Sequence, residues 1–267
     1  MLRVLRHGDR HDAKDVTVAV RFEGDFEAAF RDGNPSGVLP GEALTNLVHR
    51  VAREQEHSEI ETLGLAICER VLAQHPQIGR ARVDLIEQPW ARVQAGGKLQ
   101  DQVFSPAGLE RRTASVTSNA SRIAVSAGLE NLIVLRTSGL ASGDAGADVE
   151  DGTRDGLPPL LVGTLSAIWA YDSGDIPFAA CRQGVRAAVI DTFAWHASRS
   201  LQHTLYAMAD VILATFEGIA LVTLTLQERP YRPVDLLEFS MERDAVFVAR
   251  DEPVGLVEVT VERQARR

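Results

Sequence analysis

Apolar and polar positions alternate along the first half of the chain with the two periods that distinguish strands from helices. A period of two fits a half-buried strand, whereas apolar residues at every third or fourth position fit one face of a helix. A Gly24-Asp25 pair inside the first alternating segment adds a turn signal. The predicted elements are a strand or hairpin over 15–30, helices over 42–51 and 58–74, and strands over 81–87 and 114–125.

The second half of the chain repeats this order after a segment rich in Gly and Asp. That segment, residues 137–159, follows the apolar run 132–135 and has the composition of a loop. Beyond the loop, the same periods predict a strand, two helices and further strands. These elements are a strand over 160–171, helices over 178–193 and 198–216, and strands over 219–226, 245–249 and 256–261.

This repetition predicts an α+β chain of two similar units, each an antiparallel four-stranded sheet covered by a pair of helices. We place the units at 1–136 and 160–267, and we expect the strands between 114 and 136 to join the sheet of the second unit. A sheet with helices on one face leaves its other face and its edges needing cover, and association of identical chains is a common solution. We therefore expect a homo-oligomer.

Composition narrows the classes of partner and the compartment. The chain has 267 residues, of which 45% are hydrophobic, so it can bury a sizeable core. Its net charge of −9 argues against a nucleic-acid partner, because phosphate backbones are bound by clustered Lys and Arg. Cys68 and Cys181 lie among apolar neighbours, as buried thiols of a reducing compartment do. No signal-peptide run or membrane-length apolar segment occurs, so we expect a cytoplasmic protein without a membrane partner.

Three groups of residues resemble motifs of the urate oxidase (uricase) family, and together they extend over most of the chain. The first resembles the family's Glu-Gly-Asp strand end with the turn and helix after it, and the second a strand ending in Leu-Lys-Ser/Thr-Thr. The third is the most specific. The groups are Glu23-Gly24-Asp25-Phe26-Glu27 with Gly33-Asn34-Pro35-Ser36 and Asn46; Gly128-Leu129 with Val134-Leu135-Arg136-Thr137-Ser138; and Asp191-Thr192-Phe193-Ala194 with Ser200-Leu201-Gln202-His203-Thr204-Leu205-Tyr206-Ala207-Met208 and Asp251-Glu252-Pro253-Val254-Gly255-Leu256-Val257-Glu258.

The resemblance implies a tandem tunnelling fold (T-fold) and a tetramer whose sheets stack into a barrel, with ligand pockets at subunit interfaces. It also implies oxidation of an electron-rich, purine-like heterocycle by dioxygen as co-substrate, without a metal or an organic cofactor. Gln202 matches the family's substrate-binding Gln, and Leu201 matches the Val beside it. These two residues are the first predicted contacts of the ligand.

Other family positions carry different residues in this chain. The family's Ala-Thr-Asp before the first helix is replaced by Pro40-Gly41-Glu42, so the Thr hydroxyl is absent while a carboxylate remains. Asp9 stands where the family has Lys, with Arg10 as the adjacent cation, and Glu228 and Pro230 replace an Asn and a His. We assign as catalytic candidates Glu42, Glu228 and Asp9, and as substrate-binding candidates Gln202, Leu201, Gly41 and Arg10.

The charge of this predicted pocket differs from what an anionic purine requires. The resemblance places a stacking Phe and an Arg between 138 and 159, where this chain has no aromatic residue and Arg154 is the only Arg. Added carboxylates favour a neutral or cationic ligand, or a metal ion, over an anion. Urate is the substrate that the resemblance implies by default, and the substitutions favour a related nitrogen heterocycle that carries less negative charge.

Two alternative functions remain open beside a uricase-like oxidoreductase. His7 and His11 are four residues apart with Asp9 between them, a spacing that metal ligands use, and Glu228 is a further candidate ligand for metal-dependent or hydrolytic chemistry. A solvated, charged N-terminal arm is the interpretation we favour for these two histidines. The substituted family positions also fit a catalytically inactive binding or structural subunit.

Three aromatic or imidazole side chains near Gln202 are further candidates. His196 and His203 flank it, and either imidazole can serve as an acid or base near neutral pH, or simply lie on a helix surface. Trp195 can stack on a ring, although packing at a helix end is the more common role of a large aromatic side chain.

Overall fold

The structure is a computed structural model that describes residues 1–55, 59–137, 160–174, 176–197, 200–234, 246–250 and 255–264. Its helices are α1 (Glu27–Arg31), α2 (Gly41–Glu54), α3 (Ile60–Gln74), α4 (Phe178–Trp195) and α5 (Leu201–Thr215). Its strands are β1 (Leu2–His7), β2 (Arg10–Gly24), β3 (Ile78–Gln88), β4 (Trp90–Ala95), β5 (Lys98–Pro106), β6 (Arg111–Asn119), β7 (Ile123–Arg136), β8 (Leu161–Tyr171), β9 (Ile219–Glu228), β10 (Tyr231–Pro233), β11 (Phe247–Ala249) and β12 (Leu256–Glu262). This architecture confirms the α+β prediction. Within the described ranges, no helix is long and apolar enough to cross a membrane.

The first unit of the chain comprises Met1–Gly128 and Ala170–Arg182. In it, β1, β2, β3 and β6 are successive neighbours, and each adjacent pair is antiparallel. Helix α3 packs on β3 and β6 and also contacts α2. Its glycine, Gly64, permits the close approach, since a Cβ there would lie 2.8 Å from Val116 Cγ2. The apolar residues that α3 buries are Ile60, Leu63, Ile67, Cys68 and Val71.

The second unit comprises Leu129–Trp169 and Gln183–Arg267. Its strands follow the order β7, β8, β9, β12, and β9 pairs with β12 in antiparallel register. Helix α5 packs on β9 and β12 through a face that is apolar apart from Thr204. The residues of α5 that are buried are Thr204, Leu205, Met208, Ala209, Ile212 and Leu213. The predicted division of the chain into units at 136 and 160 stays a prediction. Strand β6 pairs with β3 in the first unit, and the residues of β7 are divided between the two units.

Arginine side chains satisfy backbone carbonyls at the C-terminal ends of two of these helices. Arg3, on β1, donates to the carbonyls of Ala52 and Gln55 at the end of α2. Arg263, just after β12, donates from Nη2 to the carbonyl of Leu213 at 2.6 Å and to that of Phe216 at 2.7 Å. A cation at this end of a helix also complements the helix dipole. The two terminal strands are therefore tied to the helix layer by charged hydrogen bonds.

Two parts of the secondary-structure prediction are wrong. The hairpin expected over 15–30 stops at Gly24, and residues 27–31 form α1, because Phe26 and Ala29 share a helical spacing and are the half-buried positions there. The single strand expected over 114–125 is two strands, β6 and β7. Asn119 separates them, since its Oδ1 accepts hydrogen bonds from the backbone N–H of Ser121 at 3.0 Å and of Arg122 at 2.8 Å.

Four strands, β1, β4, β5 and β10, have no counterpart in the prediction. β1 pairs with β2 along its whole length, and β4 and β5 form a hairpin of their own. The turn of that hairpin is Gly96-Gly97, with φ of +59° and +78°. Two glycines between alternating segments are a signal for such a turn, so the sequence contained this information. The predicted loop over 137–159 lies outside the described residues apart from position 137.

The two cysteines are free and buried, as predicted. Cys68 packs under the sheet of the first unit, with Sγ 3.8 Å from the carbonyl oxygen of Ala81. Burial raises the pKa of the Cys68 thiol to about 12, so it stays protonated at neutral pH. It is therefore a core residue and not a reactive group.

Asn131 in β7 has a backbone conformation that glycine tolerates best, with φ of +59°. The buried positions change from odd to even numbers across it, from Leu129 to Leu132. Asn131→Val is expected to lower the free energy of unfolding by about 1–2 kcal/mol, because a β-branched residue is strained at positive φ. Asn131→Gly should leave stability close to that of the wild type. Urea denaturation of both variants checks this, and equal midpoints for Val and Gly would contradict it.

Candidate functional site

Asp9 and Arg10 lie at the tip of the β1–β2 hairpin. Gly8 forms the turn with a φ of +62°, and His7 pairs with Arg10 across it. Both Asp9 and Arg10 are exposed. The hairpin therefore presents an acidic and a basic side chain side by side, and the solvated arm favoured from sequence is instead a paired strand.

The β4–β5 hairpin, which the sequence prediction missed, holds this tip in place. Gln102 Nε2, on β5, donates to the carbonyl of Asp9 at 3.0 Å. Arg92 Nη2, on β4, donates to Asp12 Oδ1 at 2.8 Å, and its guanidinium lies 5.3 Å from the centre of the Phe104 ring. The hydrogen bond from Arg92 lowers the pKa of Asp12, so this carboxylate remains ionised. These contacts fix the backbone on both sides of the turn.

The two N-terminal histidines do not form a metal cluster. His7 ends β1, and His11 lies on β2 opposite Arg6. Within the part of the chain that the structure describes, no group of three or more His, Cys, Asp or Glu side chains is placed to hold a metal ion. Asp9 at the turn therefore does not complete a ligand set with His7 and His11.

Gly41 and Glu42 are the first two residues of α2. Pro40 is the cap residue and makes no side-chain capping hydrogen bond, while the hydroxyl of Thr45 donates to the carbonyl of Gly41 at 2.9 Å. Glu42 is exposed, and a carboxylate in the first turn complements the positive end of the helix dipole. Gly41 offers only backbone groups to a ligand. The hydroxyl that the resemblance implies here has no side-chain equivalent at this position.

Leu201 and Gln202 open α5, whose first turn is well capped. Ser200 Oγ accepts a hydrogen bond from the backbone N–H of His203 at 3.1 Å, and its carbonyl accepts from the N–H of Thr204 at 3.1 Å. Leu201 is half-buried and Gln202 is exposed. Gln202 is thus exposed on a capped turn, where its amide is accessible to a ligand.

The end of α4 lies against this turn through two imidazole rings. The ring centres of His196 and His203 are 4.6 Å apart, with an interplanar angle of 69°. Arg136, the last residue of β7, donates from Nη1 to the carbonyls of Phe193 at 3.4 Å and His196 at 3.5 Å. Arg136 belongs to the second family-like motif but has no predicted role; a basic residue at the end of a strand is the only signal that the sequence offers for it.

Glu228 ends β9 and is half-buried, which differs from the solvated charge that a turn position predicts. Its backbone N–H donates to the carbonyl of Gly255 at 2.8 Å, and Gly255 leaves room for the carboxylate, because a Cβ there would lie 3.1 Å from Glu228 Oε2. Burial raises the pKa of Glu228. Such a carboxyl group is a stronger proton acceptor than an exposed one. Pro230, two residues on, has no N–H to donate.

Trp195 does not pack in the core. It is the last residue of α4 and is 86% exposed. Among the described residues it therefore does not have the packing role that its position at a helix end suggests. The exposed indole is available to stack on a flat ring. The resemblance places a stacking Phe and an Arg in the segment 138–159. This segment, which includes Arg154, lies outside the described residues.

Comparison with known proteins assigns the whole chain to one group. The Uricase family profile matches residues 1–117 and 125–258. A uricase of Arthrobacter globiformis is 28% identical over 268 residues, covering 100% of this chain and 87% of that protein. A uricase of Oryctolagus cuniculus is 26% identical over 276 residues, covering 99% of this chain and 91% of that protein.

Solved structures agree with this similarity in fold. The crystal structure of the Arthrobacter globiformis uricase superposes with a TM-score of 0.89 at 28% identity, covering 100% of this chain and 92% of that one. A urate oxidase of Bacillus sp. TB-90 superposes with a TM-score of 0.80 at 19% identity, covering 94% of this chain and 88% of that one. At that lower identity, the likeness supports the fold alone.

Proposed function

Because the chain belongs to the uricase family, we propose that it is a urate-oxidase-like oxidoreductase with an altered pocket, acting on urate or a related purine-like heterocycle. The observation that carries the proposal is the exposed Gln202 on the capped first turn of α5, in the part of the sequence most similar to the family. The amide of Gln202 donates and accepts hydrogen bonds in one plane, which fits the edge of a purine ring. Leu201 supplies the adjacent apolar contact.

The proposed oxidation needs a group that accepts a proton from the ring. In the proposed reaction, the ring loses two electrons and two protons, and dioxygen takes them up as hydrogen peroxide. We propose no metal or organic cofactor, because the family resemblance implies none. Glu228 is our candidate base, since its raised pKa brings it closer to the operating pH. Asp9 and Glu42 are the other acid/base candidates. Arg10 and the backbone of Gly41 are the remaining ligand-binding candidates.

The quaternary structure and compartment belong to the same proposal. We propose a cytoplasmic homo-oligomer with its sites at subunit interfaces, because the family resemblance places ligand pockets there. A small-molecule heterocycle is the proposed ligand, with no nucleic acid and no membrane as partner. Light scattering of the purified chain measures the oligomeric state, and a monomer would contradict this part of the proposal.

The test of the proposed activity follows urate absorbance and oxygen uptake with the purified full chain. The same assay is repeated with xanthine, guanine and 8-oxo or aza analogues, because the three carboxylate candidates favour rings that are less anionic than urate. We expect oxygen consumption with at least one of these rings. If no ring is consumed and none binds in calorimetry, the oxidoreductase proposal fails.

Gln202→Ala is expected to weaken binding of the preferred ring about 10- to 100-fold, because two amide hydrogen bonds worth about 0.5–1.5 kcal/mol each are lost. Gln183→Ala is the matched control, since Gln183 is an exposed glutamine on α4. Calorimetric titration of both variants gives the two affinities. Equal affinity of the variants for the ring would remove Gln202 from the site.

A second candidate function is a binding subunit without catalysis. It is favoured by Gly41, which has no hydroxyl, and by Pro230, which has neither a side-chain donor nor an N–H. A proton relay that lacks its hydroxyl must be rebuilt from other groups. Ring binding without oxygen uptake would identify this function.

A further inference from the structure

The rings of His196 and His203 are in contact beside the proposed ligand amide, and the geometry of this contact is specific. The two ring centres are 4.6 Å apart and the planes are inclined by 69°, an edge-to-face arrangement. His203 follows Gln202 directly in the first turn of α5, and His196 follows the last residue of α4. The ring contact therefore joins the end of one helix to the start of the next, across positions 197–200.

The α4 side of this contact is fixed in the described structure. The backbone N–H of His196 donates to the carbonyl of Thr192 at 3.0 Å, which continues the helical pattern. The carbonyl of His196 accepts from Arg136 Nη1 at 3.5 Å, so β7 anchors it as well. The backbone of His196 is thus held from both sides, and its ring contacts α5 from this anchored position.

On the α5 side, the contact reaches the turn that carries the ligand amide. The backbone N–H of His203 donates to Ser200 Oγ at 3.1 Å, so its position depends on the cap. A ring held at position 203 limits how far this first turn can fray, because helix ends open more easily than helix centres. Gln202 lies between the cap and the held ring.

Protonation opposes this contact. Nδ1 of His196 is buried and has no hydrogen-bond partner among the described residues. The charged or titratable groups that act on His196 are His203 of α5 and Arg136 of β7, and both disfavour a further positive charge. The contact therefore favours a neutral imidazole at position 196.

The sign of the pH dependence follows from the lowered pKa of His196, which is caused first by burial and then by the two neighbouring groups. The open state has an ordinary imidazole pKa of about 6.5, and the closed state a lower one. The closed contact therefore binds fewer protons. Its stability is fully present above about pH 6.5 and is lost as the pH falls through the lower, closed-state value.

We infer that His196 and His203 are positioning residues that hold Gln202 in place for the ligand, so that ligand binding weakens when the site is acidified. The inference rests on the proposed function only where it concerns the ligand. The structural part, a first turn of α5 that loosens at acidic pH, stands on the ring contact and on the buried Nδ1 of His196.

Hydrogen exchange of the full chain, read by mass spectrometry over the start of α5, tests the structural part. After correction for the intrinsic effect of pH on exchange, this segment should lose protection between pH 7.5 and 5.5, because the closed contact binds fewer protons than the open state. His196→Phe keeps an aromatic edge without a titratable group, so its protection should not change with pH. His196→Ala should be poorly protected at both pH values.

Calorimetric titration with urate over the same pH range tests the ligand part. His49→Phe is the control, because His49 is exposed on α2 and this variant keeps every effect of pH on urate itself. Affinity should fall with acidification in the wild type and in His49→Phe, and should fall less in His196→Phe.

The outcomes distinguish the structural part of the inference from the part that concerns the ligand. If His196→Phe shows the same loss of protection at pH 5.5 as the wild type, the inference is overturned. If urate binds at no pH while the loss of protection disappears in His196→Phe, the positioning contact stands and urate as the ligand is rejected. If urate binds and its affinity follows pH equally in all three proteins, the link between the contact and Gln202 is overturned.

Discussion

Arg182→Met is expected to lower the free energy of unfolding by about 3–5 kcal/mol, because it leaves a buried carboxylate without its cation. Arg182 Nη1 lies 2.8 Å from Glu59 Oε2, and Nη2 donates to both carboxylate oxygens of Glu61. Glu61 is 0% exposed and Arg182 is 5% exposed. This charge cluster ties the start of α3 to α4 within the first unit, so its loss should unfold the protein at a lower urea concentration.

The effect of Arg182→Met should depend on pH in a defined direction. Burial raises the pKa of Glu61, and Arg182 opposes that shift. Removing Arg182 leaves the burial effect alone, so the folded variant holds a proton that the unfolded chain releases above its ordinary pKa of about 4.3. The stability of the variant is retained below that pH and is lost as the pH rises through the raised value. The difference from the wild type should therefore be largest near pH 7 and smaller near pH 4.5.

Urea denaturation at these two pH values, at one protein concentration, measures the effect. Arg80→Met is the matched control, because Arg80 pairs with Glu23 at 3.2 Å in an exposed ion pair, which contributes about 1 kcal/mol or less. The double variant Arg182→Met with Glu61→Leu should recover most of the loss, since no unpaired charge remains there. A loss no larger than that of Arg80→Met would refute the argument.

Gly24→Ala is expected to cost about 3 kcal/mol, because the added methyl group meets backbone atoms that cannot rotate away. A Cβ at position 24 would lie 2.1 Å from the carbonyl oxygen of Gln77 and 2.9 Å from the Cα of Ile78. The same carbonyl accepts the N–H of Asp25 at 2.9 Å, and the pairing of β2 with β3 shifts register between Glu23 and Gly24. The glycine of the Glu-Gly-Asp motif is thus required by a close approach of two backbones.

The control for this variant lies on the opposite strand. Gly79 is also at the end of a strand pair, but a Cβ there would meet nothing nearer than the carbonyl oxygen of Glu23 at 3.9 Å. Gly79→Ala should therefore change stability by no more than about 1 kcal/mol, in either direction. Thermal and urea denaturation of the two variants provide the comparison. Similar losses for both would show that space at position 24 is not the cause.

Strongly periodic segments of the sequence determined most of the elements. α2, α3, α4 and α5 lie within a few residues of their predicted ranges, because each carries a continuous apolar face that only a helix can bury. The same holds for β9 and β12, where alternation marks one covered face. Periodicity failed where the local pattern was short or ambiguous. At α1 the alternation around Gly24-Asp25 concealed a turn of helix, and at Asn119 a side chain that caps a turn divided one predicted strand into two.

The candidate site was predictable in its residue types and not in its surroundings. The motif around Gln202 and the substitutions at Asp9, Gly41 and Glu228 are properties of the sequence alone. The burial that raises the pKa of Glu228 depends on Gly255, which approaches it from the neighbouring strand. The hydrogen bond from Gln102 to the carbonyl of Asp9 depends on the β4–β5 hairpin. These two residues are 93 positions apart in the sequence.

The sequence by itself determined the fold class, the family resemblance and the altered charge of the proposed pocket, because these depend on local pattern and on residue identity. Only the tertiary structure decided which side chains meet. The edge-to-face contact of His196 with His203, the exposure of Trp195 and the burial of Glu61 with Arg182 are set by how helices and strands pack. Such contacts join residues through space, and no periodicity along the chain encodes the distance between them.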